Sequence, residues 1–262
     1  MADILRSRRS LLIGGAAAVA GLAAMAGRRD DANAREAARG GPWAVELFTS
    51  QGCSSCPPAD AELGKLAGRA DIVALSYHVD YWDYIGWKDP FASRETTQRQ
   101  HDSARALRQR YVYTPEMVIE GLGDGPGVTS EEVAGMLAEA QRKSAKRATP
   151  ELTRLADGSV LVKLAPFELA DGFSNGPAEV ALAVYDRHHN TPVREGENNG
   201  RRLDNFNVVR HFELLGRWKG EAASWTMPAQ RAQPGQGVAV LVQRAGQGPM
   251  LGCNKLEANL AG

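Results

Sequence analysis

The stretch AVELFTSQGCSSCPPAD, residues 44–60, carries the strongest structural signal in the chain. Its apolar residues predict a short strand over Val45–Thr49. Pro57-Pro58 predicts the start of a helix, because the fixed φ of proline suits the first helical turn and its missing N–H is not needed there. The pair Cys53 and Cys56 is therefore predicted to lie between a strand and a helix.

A Cys-x-x-Cys pair in this position has a specific chemical logic. Unpaired N–H groups and the dipole at a helix N-terminus favour thiolate over thiol. We therefore predict that Cys53 is a partly exposed nucleophile that attacks a disulfide, and that the buried Cys56 resolves the mixed disulfide. The alternatives are an inert disulfide clip and two buried thiols. A clip this short closes little chain entropy and would stabilise the fold weakly, so redox chemistry is the favoured interpretation.

The composition fits a globular protein of one or two domains. The chain has 262 residues, 43% of them hydrophobic, and its 31 basic and 31 acidic side chains give a formal net charge of zero. Zero net charge gives no electrostatic reason to expect nucleic acid or an anionic membrane surface as a partner. The third cysteine, Cys253, is expected to be a buried free thiol or an intermolecular partner.

The N-terminus has the pattern of a cleavable export signal. A twin-arginine pattern, Ser7–Leu12, leads into an apolar, Gly/Ala-rich run over Ile13–Ala26 that ends in small residues. This run is shorter than the roughly 20 residues that a helix needs to span a bilayer. We predict a twin-arginine signal peptide over residues 1–26 and a flexible leader over residues 27–42. The mature protein is expected to be periplasmic or secreted, with no stable membrane insertion, in a compartment that permits disulfides.

The rest of the chain has two parts that differ in their predicted secondary structure. Residues 43–149 alternate strands and helices, which predicts a compact α/β layer. Strands are predicted over Val45–Thr49, Ile72–Val79 and Met117–Ile119, and helices from Pro57 to Gly68, over Ser93–Arg110 and over Glu131–Lys146. Residues 150–262 contain short apolar runs separated by turn residues, which predicts an antiparallel, β-rich, sandwich-like domain. His188-His189 is predicted to lie in a hairpin turn of this second part.

An aromatic-rich segment, Ser76–Trp87, lies at the end of the second predicted strand and continues beyond it. Open α/β sheets place ligand sites outside the carboxyl ends of their strands, so this segment should emerge beside the cysteines. One interpretation is a wall of the redox site in which Tyr81 and Trp82 contact an extended peptide. The other is a second small core, because aromatic clusters are more often buried by packing.

The same region suggests a rival function of another class. Cys53, Cys56 and His78 would form a mixed sulfur and nitrogen site suited to copper or zinc, and the protein would then bind or deliver that metal in the periplasm. The three residues are not spaced as a closed local motif. Thiol–disulfide exchange stays the favoured hypothesis, with no cofactor other than a redox-active Cys53–Cys56 disulfide.

Several further stretches match a known family. Besides Glu46–Asp60 they are HVDYWD (78–83), GWKDPF (86–91), YTP (113–115) and, more loosely, GENNG (196–200). On these residues the segment Val45–Gly127 resembles the thioredoxin superfamily, and more closely the secreted thioredoxin-like family catalogued as domain of unknown function 1223. The resemblance implies a thioredoxin-like N-terminal domain over residues 43–149 and a thiol–disulfide oxidoreductase acting on protein thiols or disulfides. It leaves oxidase, reductase and isomerase open, because these activities differ in potential rather than in motif.

The resemblance also implies roles for individual residues. In thioredoxin-like folds a cis proline begins the third strand beside the cysteines, so Thr114 and a cis Pro115 are expected to hold the substrate backbone. Those folds also keep a buried acid on the strand before the first cysteine, which helps to move the proton of the resolving thiol. Glu46 is the nearest candidate for this proton relay, and the alternative is that Glu46 is an edge or solvent-facing side chain.

Overall fold

The structure, a computed structural model, describes residues 42–144, 147–169 and 177–257. The predicted signal peptide over residues 1–26 and the predicted leader, except for its last residue, lie outside the described residues. Within the described ranges, no helix is long and apolar enough to cross a membrane. The described residues belong to one compact unit.

The first half of the described chain alternates strands and helices. In chain order the elements are β1 (Trp43–Thr49), α1 (Pro57–Ala67), β2 (Ile72–His78), a 3-10 turn (Asp83–Ile85), α2 (Arg94–Ala106), β3 (Glu116–Ile119), β4 (Gly123–Gly125) and α3 (Ser130–Lys143). Pro57-Pro58 opens α1, and Ser93 forms a capping box with Thr96 at the start of α2. Helix α2 ends earlier than predicted because Arg108 takes a left-handed φ of 58°.

The second half of the described chain consists of strands. They are β5 (Glu151–Arg154), β6 (Val160–Leu164), β7 (Ala178–Pro192), β8 (Arg202–Trp218), β9 (Ala223–Met227), β10 (Gly237–Arg244) and β11 (Met250–Leu256). The predicted turn at His188-His189 is wrong, because both residues lie within β7 and pair with Phe206 and Asn205 of β8. The ladder between β7 and β8 continues past the apolar core, and its outer end carries polar side chains because it is exposed to solvent.

Eight strands form one mixed sheet in the order β11-β10-β7-β8-β2-β1-β3-β4. Strands β1 and β2 are parallel, β3 is antiparallel to β1, and β8 lies next to β2 through a parallel pairing of Ser76 with Val208. The predicted boundary at Thr149-Pro150 falls between α3 and β5, and strands from both sides of it share this sheet. The protein is a mixed α/β fold with a large sheet and few helices.

The two faces of β1 pack against different layers. Val45 and Leu47 lie in one cluster with Leu63 of α1 and Leu137 of α3, whereas Phe48 lies with Tyr77 in a cluster on the opposite face. This alternation follows from the two-residue period of a strand. Elsewhere, a three-stranded sheet β5-β6-β9 packs its buried side chains against β7 and β10.

A close helix–strand contact brings the C-terminal half to the N-terminus of α1. A Cβ atom at Gly64 would lie 2.6 Å from the Phe206 ring, so only glycine lets α1 approach β8 this closely. The loop between β7 and β8 consequently lies beside the turn that holds the two cysteines.

Candidate functional site

The candidate site is the turn between β1 and α1. Cys53 and Cys56 form a disulfide, with their Cα atoms 5.5 Å apart. Cys56 is the N-cap residue of α1, and Cys53 lies in the turn that precedes the helix. The Cys53 amide donates to Ser50 O at 3.1 Å, which closes the turn after β1. The disulfide therefore lies directly at the N-terminus of a helix.

The prediction that Cys53 is exposed is wrong for this disulfide form. Cys53 and Cys56 are both 0% exposed, whereas Ser54 and Ser55 between them are exposed. The turn curls so that the two serines form its outer surface, and the Ser55 hydroxyl lies 3.2 Å from Cys53 Sγ. In this disulfide form the sulfur of Cys53 is covered.

Thr114 and Pro115 lie next to the disulfide. Their peptide bond is cis, as the resemblance implies. Cys53 Sγ lies 3.7 Å from Thr114 O, and the Ser55 hydroxyl lies 3.5 Å from the same carbonyl. Trp82 Nε1 donates to Thr114 Oγ1 at 2.8 Å. The fold thus brings Cys53, Thr114 and Trp82 together from three separate parts of the sequence.

The aromatic segment after β2 is partly a wall of the site and partly core. A Cβ atom at Gly52 would lie 3.0 Å from Trp82 Cβ and 3.4 Å from Ile85 Cδ1, so both side chains border the disulfide turn. Tyr81 packs on a core cluster, and its hydroxyl donates to Gln100 Oε1 at 3.1 Å. Trp82 packs on the same cluster, and both predicted aromatics interact with the Thr114 side chain, Trp82 through a direct hydrogen bond.

Glu46, the predicted proton relay, lies on the sheet face opposite α1. It alternates with Val45 and Leu47, which pack against α1 and α3. Arg99 donates to Glu46 Oε1 from Nε at 2.9 Å and from Nη2 at 2.6 Å, and both side chains are almost completely buried. A carboxylate held by a permanently charged guanidinium is a poor acceptor for a thiol proton. The geometry therefore disfavours Glu46 as the relay.

Sequence reasoning missed a buried acid that lies on α1 itself. Asp60 follows Cys56 by about one helical turn, so the two residues share a helix face, and helical side chains lean toward the N-terminus. Asp60 is 3% exposed, and its Oδ1 has no hydrogen-bond partner among the described residues. Burial raises the pKa of Asp60 to about 7, against the opposing effect of nearby His78.

His78 lies beside Asp60 and is held by a second aspartate. His78 Nδ1 is 2.7 Å from Asp89 Oδ2, and both side chains are fully buried. Burial alone would lower the pKa of His78, but the negative charges of Asp89 and Asp60 outweigh it and raise that pKa. Asp89 Oδ2 also accepts from the Gln51 amide at 2.8 Å. This buried imidazole is thereby connected to the disulfide turn.

The residues of the rival metal hypothesis are differently engaged. Cys53 and Cys56 are joined to each other, and one ring nitrogen of His78 lies against Asp89. Across residues 42–144, 147–169 and 177–257, no group of three or more His, Cys, Asp or Glu side chains is arranged to hold a metal ion. Metal delivery stays a prediction.

The loop between β7 and β8 completes the site from the C-terminal half. Asn198 is fully buried, and its Nδ2 donates to Gln51 O and to Cys53 O, both at 2.9 Å. Next to it, Glu197 Oε2 accepts from the Ser54 amide at 3.1 Å. Sequence reasoning assigned no role to either side chain. The available signal was their place in GENNG, the most C-terminal stretch of the family match.

Solved structures similar to the chain include the following two. It aligns with the crystal structure of protein AGR_C_4864 from Agrobacterium tumefaciens at 31% identity and a TM-score of 0.73, covering 85% of this chain and 97% of that one. It also aligns with HBP35 of Porphyromonas gingivalis at 10% identity and a TM-score of 0.58, covering 85% of this chain and 76% of that one. The second likeness is one of fold alone. No curated protein matches the chain.

A family model gives the more specific result. The model described as protein of unknown function (DUF1223) matches residues 44–243, a range that contains the disulfide turn, the aromatic segment and the loop between β7 and β8. The resemblance to domain of unknown function 1223 is confirmed, and the chain belongs to the DUF1223 family.

Proposed function

We propose that the protein is an exported thiol–disulfide oxidoreductase that acts on protein thiols or disulfides through Cys53 and Cys56. In this proposal the unit from β1 to α3 is thioredoxin-like, residues 1–26 are a twin-arginine signal, and the protein works in the periplasm or outside the cell. Thr114 and Pro115 hold the substrate backbone beside Cys53.

The observation that carries the proposal is the buried carboxylate of Asp60, which lies about one helical turn after Cys56 on the same helix. A disulfide that only clips a turn needs no ionisable group next to it, and burying a carboxylate costs stability when it is ionised. The side chains of His78, Thr49 and Asn205 interact with this carboxylate and lower its pKa, but burial outweighs them. Buried polar groups are ordinarily paired, and ionisable groups with perturbed pKa values cluster where protons are transferred.

The chemistry in the reducing direction takes two steps. The Cys53 thiolate attacks a substrate disulfide, forms a mixed disulfide and releases one substrate thiolate. Cys56 then gives its proton to Asp60 and attacks Cys53 Sγ, which closes the Cys53–Cys56 disulfide and releases the second substrate thiolate. Two electrons pass from the cysteine pair to the substrate, and a partner dithiol restores the reduced pair. Oxidation of a substrate dithiol is the reverse sequence.

The redox behaviour of the purified protein tests this proposal. Equilibration with increasing ratios of reduced to oxidised dithiothreitol, followed by alkylation and mass measurement, should show one reversible two-electron transition at Cys53 and Cys56. The reduced protein should also reduce a disulfide-bonded peptide catalytically when a dithiol regenerates it. A Cys53 that alkylates like an ordinary thiol, with a pKa near about 8.5, and a protein without turnover would contradict the proposal.

Asp60→Asn is expected to slow the resolving step at least about tenfold above neutral pH. The carboxylate accepts the Cys56 proton only when it is ionised, so the wild-type rate should rise as the pH passes the Asp60 pKa of about 7. The amide variant should lack this rise. Stopped-flow measurement of mixed-disulfide resolution across pH checks both statements. Glu62→Gln, which removes a carboxylate paired with Lys65 on the same helix, should keep the wild-type profile.

Stability distinguishes this role of Asp60 from a structural one. The folded-state pKa of about 7 lies above the roughly 3.9 of an unfolded aspartate, so the contribution of Asp60 to stability is lost as pH rises between these values. The amide does not ionise, and Asp60→Asn should be at least as stable as the wild type above pH 7. A variant that is both slower and less stable there would assign Asp60 to packing.

A further inference from the structure

The C-terminal half places a negative charge on the disulfide turn. Glu197 lies at the tip of the loop between β7 and β8, and its Oε2 accepts from the Ser54 amide at 3.1 Å. The loop is closed by backbone bonds from Val193 to Arg201 O at 2.9 Å and from Gly200 to Val193 O at 3.0 Å. Glu197 is therefore carried by a closed hairpin loop.

Neighbouring contacts fix the position of Glu197 relative to Cys53. The next residue, Asn198, is fully buried and donates to Cys53 O at 2.9 Å. On the other side, a Cβ atom at Gly196 would lie 3.1 Å from Ile85 Cδ1, so the loop packs directly on the aromatic segment. Both neighbours of Glu197 are anchored to the walls of the site, so the backbone of Glu197 is held beside the disulfide turn.

We infer that Glu197 shifts the balance at Cys53 from thiolate toward thiol and thereby makes the Cys53–Cys56 pair more reducing. This inference rests on the proposed function and deepens it, because it indicates the direction in which electrons flow. It assigns a tuning role to a loop that belongs to the C-terminal half of the protein.

The physical basis is competition for an amide together with charge repulsion. Ser54 N–H is the first amide after Cys53 in the turn that leads into α1, and amides in that position stabilise a thiolate. Glu197 occupies this amide and places a negative charge on the residue next to Cys53. Hydrogen bonds from Ser54 lower the pKa of Glu197, so the carboxylate is ionised at neutral pH. Both effects disfavour a second negative charge on Cys53.

Other charged groups at the turn do not cancel this effect. Asp60 and Asp89 lie beneath the turn and are acidic, so they add to the negative potential when ionised. The cation of the same loop, Arg201, donates to Asn198 Oδ1 at 2.8 Å. The buried His78, whose pKa is raised, is paired with Asp89. Among the described residues, the Ser54 amide is therefore contacted by the Glu197 carboxylate and by no cation.

The effect of Glu197 on the reduction potential follows from the electrons and the proton that the disulfide takes up when it is reduced. Reduction by a dithiol transfers two electrons, and with one proton it yields a Cys53 thiolate and a Cys56 thiol. A thiolate disfavoured by Glu197 raises the free energy of this reduced form relative to the disulfide. The pair then releases electrons more readily, because a disulfide is strongly oxidising when its reduced form is stabilised. Glu197 therefore favours reduction of substrates over their oxidation.

Glu197→Gln in the full chain tests the inference. Glutamine keeps an oxygen that accepts from Ser54 but removes the charge. The equilibrium constant with the glutathione couple should shift toward the reduced pair by about two- to fivefold, the range expected of one exposed charge. The pH at which iodoacetamide modifies half of Cys53 should fall. Glu195→Gln, which removes the same charge from the same loop without contacting the disulfide turn, should leave both values at wild type.

The outcomes separate this inference from the proposed function. Neither measurement needs a protein substrate. Wild-type values in Glu197→Gln for both the equilibrium constant and the alkylation profile would overturn the role of Glu197, even if the protein is an active oxidoreductase. The expected shifts in a protein that turns over no substrate would support the role of Glu197 and count against catalysis. An equal shift in Glu195→Gln would show a general charge effect and overturn the specific contact.

Discussion

Replacing Cys53 by serine is expected to abolish disulfide exchange, with a fall in turnover on the order of 1000-fold or more. Cys56→Ser should also stop turnover, but after the first step, so that substrate stays attached to Cys53 as a stable mixed disulfide. The two variants differ because Cys53 Sγ lies against the Thr114 carbonyl, where substrate is expected, whereas Cys56 is the N-cap of α1. Non-reducing gels and mass spectrometry after mixing with a disulfide-bonded peptide distinguish the two outcomes.

The third cysteine provides a matched control. Cys253 is the free cysteine of the structure, and it is buried, with Sγ donating to Pro42 O at 3.1 Å. Burial raises the pKa of this thiol well above its ordinary value. The sequence left open whether Cys253 is a buried free thiol or an intermolecular partner, and in the structure it is a buried free thiol. Cys253→Ala should keep wild-type exchange. Turnover by Cys53→Ser, or a mixed disulfide formed on Cys56, would contradict the assigned roles.

The frame around the cysteines could be predicted because its signals are local. The apolar run before Gly52 and Pro57-Pro58 after the cysteines set the strand, the turn and the helix within a few residues of one another. Thr114-Pro115 directly before β3 could likewise be placed beside the turn through the family resemblance. These features depend on backbone geometry, which neighbouring residues largely determine.

The proton acceptor could not be predicted in the same way. Choosing between Glu46 and Asp60 requires knowing which face of β1 is covered by α1, and this depends on how the helices pack on the sheet. An acid in the first turn of a helix usually interacts with the helix dipole in solvent, so Asp60 looks ordinary in the sequence. The usable signal was its spacing, because Cys56, Asp60 and Leu63 all lie on the buried side of α1.

The contact between the C-terminal half and the disulfide turn could not be predicted from local sequence patterns either, but for a different reason. Ser54 and Glu197 are separated by 143 residues, and their contact exists because β8 joins the sheet beside β2. That arrangement rests on long-range strand pairing, which leaves no periodic trace in either segment. The same pairing extends β7 through His188-His189, where polar residues suggested a turn.

The buried ion pair between Arg99 and Glu46 is expected to have a large effect on the stability of the fold. Arg99→Met is expected to lower the free energy of unfolding by about 3–5 kcal/mol, because the variant leaves Glu46 as an unpaired charge in the interior. The guanidinium also lies 5.2 Å from the Tyr77 ring centroid and 4.4 Å from that of Phe212, so the change removes aromatic contacts. Urea unfolding followed by circular dichroism measures the loss.

An exposed ion pair on α2 serves as the control for the stability lost in Arg99→Met. Arg105 pairs with Asp102 at the exposed side of α2, and Arg105→Met should cost no more than about 1 kcal/mol. The double variant Glu46→Leu/Arg99→Met should recover much of the stability lost in Arg99→Met, because it removes the stranded charge. A loss in Arg99→Met no larger than in Arg105→Met would refute a buried charge pair at this position. The folded fraction of Arg99→Met should keep the wild-type pH profile of exchange, because the substitution leaves Asp60 on the opposite face of the sheet untouched.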